Sequence, residues 1–327
     1  MKLSSDTLKE LSRKLRGVGG ELFNFNGLQA NSSVPNLDIF VEFKTDKPFA
    51  VDAEKFSQVV SRLDGEVDFT ITESKCVLKT KRSKLSLPIS EARPAICPKH
   101  EKLITVQHDK LMPALNYALQ ATMRGSFFSY NGAIALGKHA AGSDGKRLAF
   151  AEFDGGLPEQ IILPVPAVEA LKAFSGPAIQ IGQNEQNIYF HDGDTALVAR
   201  RLVKAFPDYE KLIPASTKYN FSFDTNELKN ALKSLKPIIA ENGRICLTLT
   251  DDSCMISAAS ESGDGDVQIA AQGGDAFLEF RCELTYEYLA DFCESVRGPA
   301  ILLGANSEKG PFLLESGKFK LIIAGSR

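Results

Sequence analysis

No apolar run in this chain approaches the roughly 18 residues that a membrane-spanning helix needs. The first residues also lack the apolar stretch of a secretory signal peptide. The six cysteines are scattered and form no CxxC pair, which is typical of buried free thiols in a reducing compartment. These absences predict a cytoplasmic protein that does not bind a membrane.

Residues that catalyse reactions or hold metals are few and far apart. The four histidines are dispersed, so their spacing indicates no catalytic triad. Cys97 and His100 have half of a metal site's spacing but no second pair nearby. Residues 142–146 lack the spacing of a phosphate-binding loop, and residues 261–266 lack the ligand series of a calcium loop. The sequence therefore predicts no enzyme activity, no cofactor and no metal site.

The composition is that of a globular protein with sizeable cores. The chain has 327 residues, of which 43% are hydrophobic and 24% charged, enough for two or three domains. Its net charge of −3 argues against an openly basic nucleic-acid-binding protein. Local basic faces remain compatible with that total, because the distribution of charge decides binding.

One segment of the sequence recurs at a spacing of about one domain. Residues 176–182 read Gly-Pro-Ala-Ile-Gln-Ile-Gly and residues 298–304 read Gly-Pro-Ala-Ile-Leu-Leu-Gly. A weaker copy occupies residues 64–71, and each copy follows an apolar helical segment. A period near a hundred residues predicts one kind of domain used three times.

Helical and strand patterns repeat with the same period. Each third begins with a helix that carries a leucine stripe, and a second helix follows near residues 53–63, 166–174 and 285–296. The predicted N-caps of the first helices are Asp6, Asp109 and Asn226. Alternating strands broken by Gly, Asn and Asp turns follow each second helix. We predict an α+β fold of three tandem domains (residues 1–98, which is shortened, 99–214 and 215–327), each with two helices packed on antiparallel sheet.

Several segments resemble the bacterial β sliding clamps, the β subunits of DNA polymerase III. Residues 142–149 (Gly-Ser-Asp-Gly-Lys-Arg-Leu-Ala) resemble a turn in the family's middle domain, and residues 201–209 resemble its Leu-Val-x-x-x-Phe-Pro-Asp-Tyr segment. Residues 49–56 and 81–87 resemble two segments of its first domain. The resemblance covers nearly the whole chain and implies three DNA-clamp-like domains that form a ring as a head-to-tail homodimer.

In such a ring, helices line the hole and their basic side chains face duplex DNA without reading its sequence. The residues that the resemblance and the helix patterns place there are Lys9, Arg13, Lys14, Arg16, Lys110, Arg124, Phe128, Lys172, Lys229, Lys233 and Lys236. The alternative for each lysine or arginine is an ordinary solvated position on a helix.

The family also binds short peptide motifs of its partners, which include the DNA polymerase and the clamp loader. The matching pocket positions here are Tyr130, Ser143, Gly145, Lys146, Arg147, Leu148, Pro207, Leu212, Tyr286, Ile322, Ile323 and Arg327. Family members carry His where Lys146 stands. The alternative for the apolar members is interdomain core.

A basic edge strand and an acidic stretch predict the ring interface. The residues are Lys81, Arg82, Lys84, Leu85 and Leu87 on one side, and Ile238, Ile239, Glu261 and Asp264 on the other. Opposite charges set a head-to-tail orientation, and the apolar side chains form its core. The alternative is that the lysines keep the edge unpaired. On that view the chain is a monomeric clamp-fold module that binds partners without encircling DNA.

Overall fold

The computed structural model describes residues 1–93, 95, 97–98, 103–122, 132–202, 206–241, 243–273 and 279–325. Its α-helices are α1 (Ser5–Arg16), α2 (Ala53–Ser61), α3 (His108–Leu119), α4 (Val165–Ala170), α5 (Thr225–Leu235) and α6 (Tyr286–Ser295). The prediction of two helices in each third is confirmed. None of the helices within these ranges is long and apolar enough to cross a membrane.

Strands fill the rest of each third in the same order. The first third contains β1 (Lys2–Ser4), β2 (Leu22–Phe25), β3 (Gln29–Val34), β4 (Leu37–Glu42), β5 (Phe49–Asp52), β6 (Glu66–Ile71), β7 (Lys75–Lys79) and β8 (Lys84–Pro88). The second contains β9 (Ile104–Gln107), β10 (Ala133–Leu136), β11 (His139–Ser143), β12 (Arg147–Glu152), β13 (Ile161–Pro164), β14 (Ala178–Gln183), β15 (Asn187–Asp192) and β16 (Thr195–Arg200). The third contains β17 (Tyr219–Asp224), β18 (Arg244–Leu249), β19 (Ser253–Ser260), β20 (Gly263–Ala270), β21 (Gln272–Gly273), β22 (Phe280–Thr285), β23 (Ala300–Ala305), β24 (Phe312–Ser316) and β25 (Phe319–Ile323).

The chain forms two compact units, and the division falls inside α3 and β13. The first unit comprises Met1–Met112 and Leu163–Val203. It holds a four-stranded sheet, β1-β6-β7-β8, and an eight-stranded sheet, β5-β2-β3-β4-β16-β15-β14-β9. A cluster of phenylalanines lies in its core, where the rings of Phe25 and Phe49 stack at 4.4 Å and both contact neighbouring rings.

The second unit comprises Pro113–Ile162 and Lys204–Arg327. It holds a nine-stranded sheet, β13-β10-β11-β12-β25-β24-β23-β17-β21, and a four-stranded sheet, β20-β19-β18-β22. Its α5 contacts α6 and also packs on β20. Leucines of the predicted stripe, Leu228, Leu232 and Leu235, are buried in this packing.

The sheets are built from one repeated unit, a meander of three strands joined by hairpins. Each third has two: β2-β3-β4 and β6-β7-β8, then β10-β11-β12 and β14-β15-β16, then β18-β19-β20 and β23-β24-β25. The large sheets arise where a meander pairs with one from the next third. β4 pairs antiparallel with β16, and β12 pairs antiparallel with β25.

The helices begin earlier than the predicted N-caps. Ser4 caps α1, its hydroxyl accepting the Thr7 N–H at 3.0 Å, and Asp224 caps α5 by accepting from the N–H groups of Asn226 and Glu227. Asp6, Asp109 and Asn226 therefore lie inside helices, and the prediction of those caps is wrong. The cause is the preceding strand, since β1 and β17 each end at the capping residue.

Candidate functional site

The predicted pocket centres on the turn between β11 and β12, in the second unit. Gly145 adopts a φ of 87°, a left-handed conformation that favours glycine. The Asp144 carboxylate accepts hydrogen bonds from the backbone N–H groups of Lys146 and Arg147 at 2.9 and 2.8 Å. Ser143 Oγ donates to the Arg147 carbonyl at 2.8 Å. This arrangement fixes the turn and holds the predicted residues 143–148 in place.

Arg147 joins this turn to α6 and to the residue that follows α3. Its guanidinium donates to Asp291 on α6 at 2.8 Å and to the backbone carbonyl of Gln120, and it lies 4.4 Å from the centre of the Tyr288 ring. The side chain is 12% exposed. Arg147 therefore orders the wall of the pocket, and its donors already have partners in the chain. The spacing of an Asx turn in the sequence predicts that Asp144 holds the turn, but no sequence pattern predicts that Asp291 binds Arg147.

An apolar cluster forms the floor beside the turn. Leu148 on β12 lies opposite Ile322 on β25, and both pack with Phe150, Phe206 and Tyr209. Burial raises the pKa of Tyr209 to about 12, and its hydroxyl lies 3.2 Å from His139 Nδ1. Leu212, at the end of the 3-10 turn Tyr209–Leu212, is 56% exposed. The arrangement is a buried apolar floor with an exposed leucine at its rim.

The remaining pocket residues lie at different distances from this floor. Ile323 is buried opposite Arg147, and Pro207 is exposed next to Phe206. Tyr286 instead packs against α5, where its hydroxyl donates to the Leu232 carbonyl at 3.1 Å. It lines a groove of about 370 Å³ between α5 and α6. Tyr130 and Arg327 lie outside the described residues.

The basic side chains of α1 are partly engaged within the first unit. Lys9 Nζ lies 3.5 Å from Asp64, and Arg13 forms a two-pronged ion pair with Glu10. The hydrogen bond from Arg13 lowers the pKa of Glu10. Arg16 is exposed and forms no ion pair with any residue of the described ranges.

Lys14 is buried, unlike the other basic residues of α1. The residue is 6% exposed, and its Nζ lies 2.7 Å from Asp194 Oδ1 in the turn between β15 and β16. A second carboxylate, that of Glu10, lies 3.8 Å away. Lys14 is therefore not available to DNA, contrary to its place among the predicted DNA-facing residues, because a buried ammonium needs an anionic partner.

The lysines of α5 are partly neutralised by the neighbouring helix of the second unit. Lys229 and Lys233 lie 2.6 and 3.6 Å from Glu294 on α6, and the hydrogen bond from Lys229 lowers the pKa of Glu294. Lys236 is exposed, as is Lys172, which follows α4 in the first unit; Lys110 is half-buried on α3. Arg124 and Phe128 lie outside the described residues.

The predicted interface residues lie on two edge strands with opposite charge. Along the described chain, β8 pairs only with β7 and β20 pairs only with β19. The outward side chains of β8 include Lys84, and Lys81 and Arg82 are exposed in the turn before it. The outward side chains of β20 include Asp264 and Asp266, and Glu261 is exposed in the turn before it.

The apolar members lie on the inward faces of the same edges. Leu85 is half-buried and Leu87 buried on β8. Ile238 follows α5 and packs against β20. A Cβ atom placed on Gly265 of β20 would lie 2.9 Å from Ile238 Cδ1. Ile239 is half-buried beside it. Each edge thus carries apolar side chains on its inward face and charged side chains on its outward face.

No cluster of three or more His, Cys, Asp or Glu side chains suited to a metal ion occurs within the described ranges. The first unit carries a basic helix face and a basic sheet edge, and the second carries the ordered pocket, basic residues on α5 and an acidic sheet edge. All of these features are suited to binding.

No protein-family model matches this chain. In sequence it is similar to the β sliding clamp of Treponema pallidum, at 24% identity over 282 residues that cover 76% of this chain and 73% of that protein. It is also similar to the β sliding clamp of Caulobacter vibrioides, at 22% identity over 325 residues that cover 90% and 85%. In structure it resembles the β subunit of DNA polymerase III from Thermotoga maritima, with a TM-score of 0.89 at 15% identity over 100% of this chain and 98% of that one.

The three repeats, each with two helices and two meanders, together with this structural likeness define a three-domain DNA-clamp fold. The sequence similarity and the structural similarity both extend along nearly the whole length of the chain. The chain is similar to the bacterial β sliding clamps in sequence and in fold.

Proposed function

We propose that this chain is a sliding clamp, a replication processivity factor that encircles duplex DNA as a head-to-tail homodimer and tethers a polymerase. On this proposal it catalyses no reaction and needs no cofactor. It works in the cytoplasm, where its DNA is, and its partners bind through short peptide motifs. On this proposal the first domain ends at residue 98 and the second at residue 214.

The pairing of the meanders is the observation that carries the proposal. Both junctions within the chain follow one rule: the last strand of a first meander pairs with the last strand of the second meander in the next third. In the third repeat, β20 is the last strand of the first meander and has no second meander of a following repeat to pair with. In the first repeat, β8 is the last strand of a second meander that no preceding repeat pairs with. The rule therefore predicts that β20 pairs with β8. The β20 strand of one chain pairs with the β8 strand of a second copy. The β8 strand of the first chain pairs with the β20 strand of that copy, and the two pairings close the ring.

Charge and side-chain alternation support this pairing. Residues that face each other across an antiparallel pair lie on the same face of the sheet. Lys84 therefore lies on the face that carries Asp264 and Asp266, and Leu85 and Leu87 lie on the face of Ile238. Unlike charges favour the β8–β20 pairing over β8–β8 or β20–β20 pairing.

Light scattering on a sizing column tests the ring with charge-reversed edges. The wild type is expected at twice the 35.6 kDa mass of the chain. Lys84→Asp and Asp264→Lys/Asp266→Lys are each expected to shift the protein toward monomer, because like charges then oppose each other. These side chains are exposed, so folding is unaffected. Combining the substitutions in one chain restores dimer, since both edges are then reversed. A wild-type monomer at tens of micromolar would contradict the ring and favour the monomeric partner-binding module.

A closed ring needs few contacts to DNA, because escape requires opening of an interface. Attraction to phosphates from exposed residues such as Arg16, Lys172 and Lys236 is independent of sequence and permits sliding. The apolar floor around Leu148 and Ile322 suits a peptide that inserts apolar anchors, with Leu212 at its rim.

A further inference from the structure

One face of the eight-stranded sheet in the first unit carries a small apolar cluster. Its buried members are Phe40, Tyr189, Ala196 and Val198. Part of the linker between the first two thirds covers this cluster, and its Ala95 and Cys97 pack against it. We refer to the linker residues Arg93, Ala95, Cys97 and Pro98 as the strap.

The cluster occupies the same place in its sheet as the apolar floor of the second unit. Phe40 and Val198 stand at the register positions of Phe150 and Ile322, because the β4–β16 and β12–β25 junctions pair equivalent strands in the same register. Each face is also covered by the linker that follows it, with Phe206 packed on the floor where the strap packs on the cluster. The first unit therefore contains a second copy of the floor.

Three polar residues distinguish this copy from the floor. Asn24, Asn31 and Asp38 stand at the register positions of Ala135, Ala141 and Leu148. Asn24 and Asn31 are 8% and 3% exposed. Buried amides need hydrogen-bond partners, so this face suits a segment that offers polar main-chain groups.

Two side-chain amides hold the main chain of the strap. Asn24 Oδ1 accepts the Arg93 N–H at 3.1 Å, and Asn26 Nδ2 donates to the Ala95 carbonyl at 3.0 Å. The oxygen of the Asn26 side chain accepts from two N–H groups of the turn between β2 and β3, which fixes the amide in place. The strap is thus bound through its main chain, as a docked peptide is.

Cys97 provides a built-in probe of this contact. Burial, together with the nearby Asp38 carboxylate, raises the pKa of its thiol to about 11. A thiol released to solvent has a pKa of about 8.5 and reacts much faster near neutral pH. The reaction rate of Cys97 therefore reports how often the strap leaves the cluster.

We propose that the strap is an intramolecular ligand that fills the first unit's copy of the peptide site, and that Asn24 and Asn26 form the latch that keeps it there. The inference rests on the proposed function in one respect, since it takes the floor of the second unit as a peptide site. Each chain then has one such site open and one closed by its own linker. Opening of the latch uncovers the second.

Labelling with N-ethylmaleimide at pH 8, resolved by mass spectrometry of peptides, tests the latch. Asn24→Ala introduces the residue of the second unit, and Asn26→Asp removes the donor to the strap but keeps the oxygen that the turn needs. Each lost hydrogen bond is expected to accelerate labelling of Cys97 roughly fivefold, and both together roughly twenty-five-fold. The matched control is Asn31→Ala, whose amide donates to Ser33, and it should leave the rate nearly unchanged.

Cys76, which is buried in the first unit with a pKa of about 12, shows in the same samples whether that unit stays folded. The expected result is faster labelling of Cys97 alone. Equal Cys97 rates in the wild type and the double variant would overturn the latch, and acceleration of Cys97 and Cys76 together would show that the strap leaves only when the unit unfolds. Rapid labelling of Cys97 in the wild type would show that the strap is not held. The measurement involves neither ring nor partner peptide, so its failure leaves the proposed function standing.

Discussion

The ion pair between Lys14 and Asp194 gives a sharp test of the packing in the first unit, because its two partners differ in exposure. The Lys14 side chain is 7% exposed and that of Asp194 is 50% exposed, at an Nζ–Oδ1 distance of 2.7 Å. Asp194→Asn leaves a buried ammonium with only Glu10, at 3.8 Å, as an anionic neighbour. Lys14→Met leaves a carboxylate that reaches water.

The expected losses of stability follow from this asymmetry. Breaking a fully buried pair costs about 3–5 kcal/mol, and the nearby Glu10 and the exposure of Asp194 reduce this to about 2 kcal/mol for Asp194→Asn. Lys14→Met should cost less than about 1 kcal/mol, since methionine fills a similar volume and no charge is left buried. For a domain of 150–250 residues, the first change lowers the melting temperature by about 4–8 °C.

Urea unfolding of the two single variants and the double variant measures these values. The double variant should resemble Lys14→Met. A loss from Lys14→Met equal to or larger than that from Asp194→Asn would falsify the assignment of the buried charge to Lys14.

The same pair predicts a dependence on pH. Burial alone would raise the pKa of Asp194, but hydrogen bonds from Lys14 and Thr195 lower it below its ordinary value. A lowered folded-state pKa contributes stability above the unfolded pKa of about 3.9, and this contribution is lost as the pH falls through the folded value. Stability should therefore fall less steeply below about pH 4 in Asp194→Asn than in the wild type.

Three further outcomes are expected. Arg147→Lys should destabilise the second unit by about 2 kcal/mol in thermal unfolding, because an ammonium cannot reproduce the planar fork that reaches Asp291 and Gln120; wild-type stability in this variant would contradict the bridging role. Burial raises the pKa of Cys76, Cys254 and Cys293 to about 12, so a thiol reagent at pH 8 should modify these cysteines only after unfolding. Rapid reaction of any of these three in the native protein would contradict their burial. Affinity for a fluorescein-labelled duplex can be measured as a function of salt, as the slope of log K against log salt concentration. This slope should fall by about 0.9 per lost phosphate contact in Arg16→Ala and Lys236→Ala but change little in Lys229→Ala, whose charge is paired with Glu294. A larger effect of Lys229→Ala would show that the ion pair with Glu294 opens on DNA.

Local patterns in the sequence predict the elements of this fold well. The leucine stripes place α1, α3 and α5, and alternation places hairpins such as β15–β16 and β24–β25. The glycine of each hairpin turn, Gly193 or Gly317, adopts the positive φ that the turn requires. These features depend on neighbours within a few residues, which is why periodicity and turn chemistry reveal them.

Features that join distant parts of the chain were not predictable in the same way. The pairing of β4 with β16 brings together residues about 160 positions apart, and Lys14 meets an aspartate 180 positions away. A lysine on an amphipathic helix gives the same pattern whether it faces solvent or a buried carboxylate. The resemblance to a family supplies the pocket residues, but Asp291 becomes visible only when the strands and α6 are placed together.

The rule that pairs the meanders has a consequence for the behaviour of the protein at low concentration. In the proposed ring every meander is paired with another, and β8 and β20 are no longer unpaired edge strands. Dissociation uncovers both in one molecule, and bare strands are the templates from which β-rich aggregates grow. Because the two strands differ in charge and lie on the same chain, misassembly would run end to end into open filaments rather than into random clumps. A monomer released from the ring should thus pair through either uncovered strand, whereas the closed ring shields both.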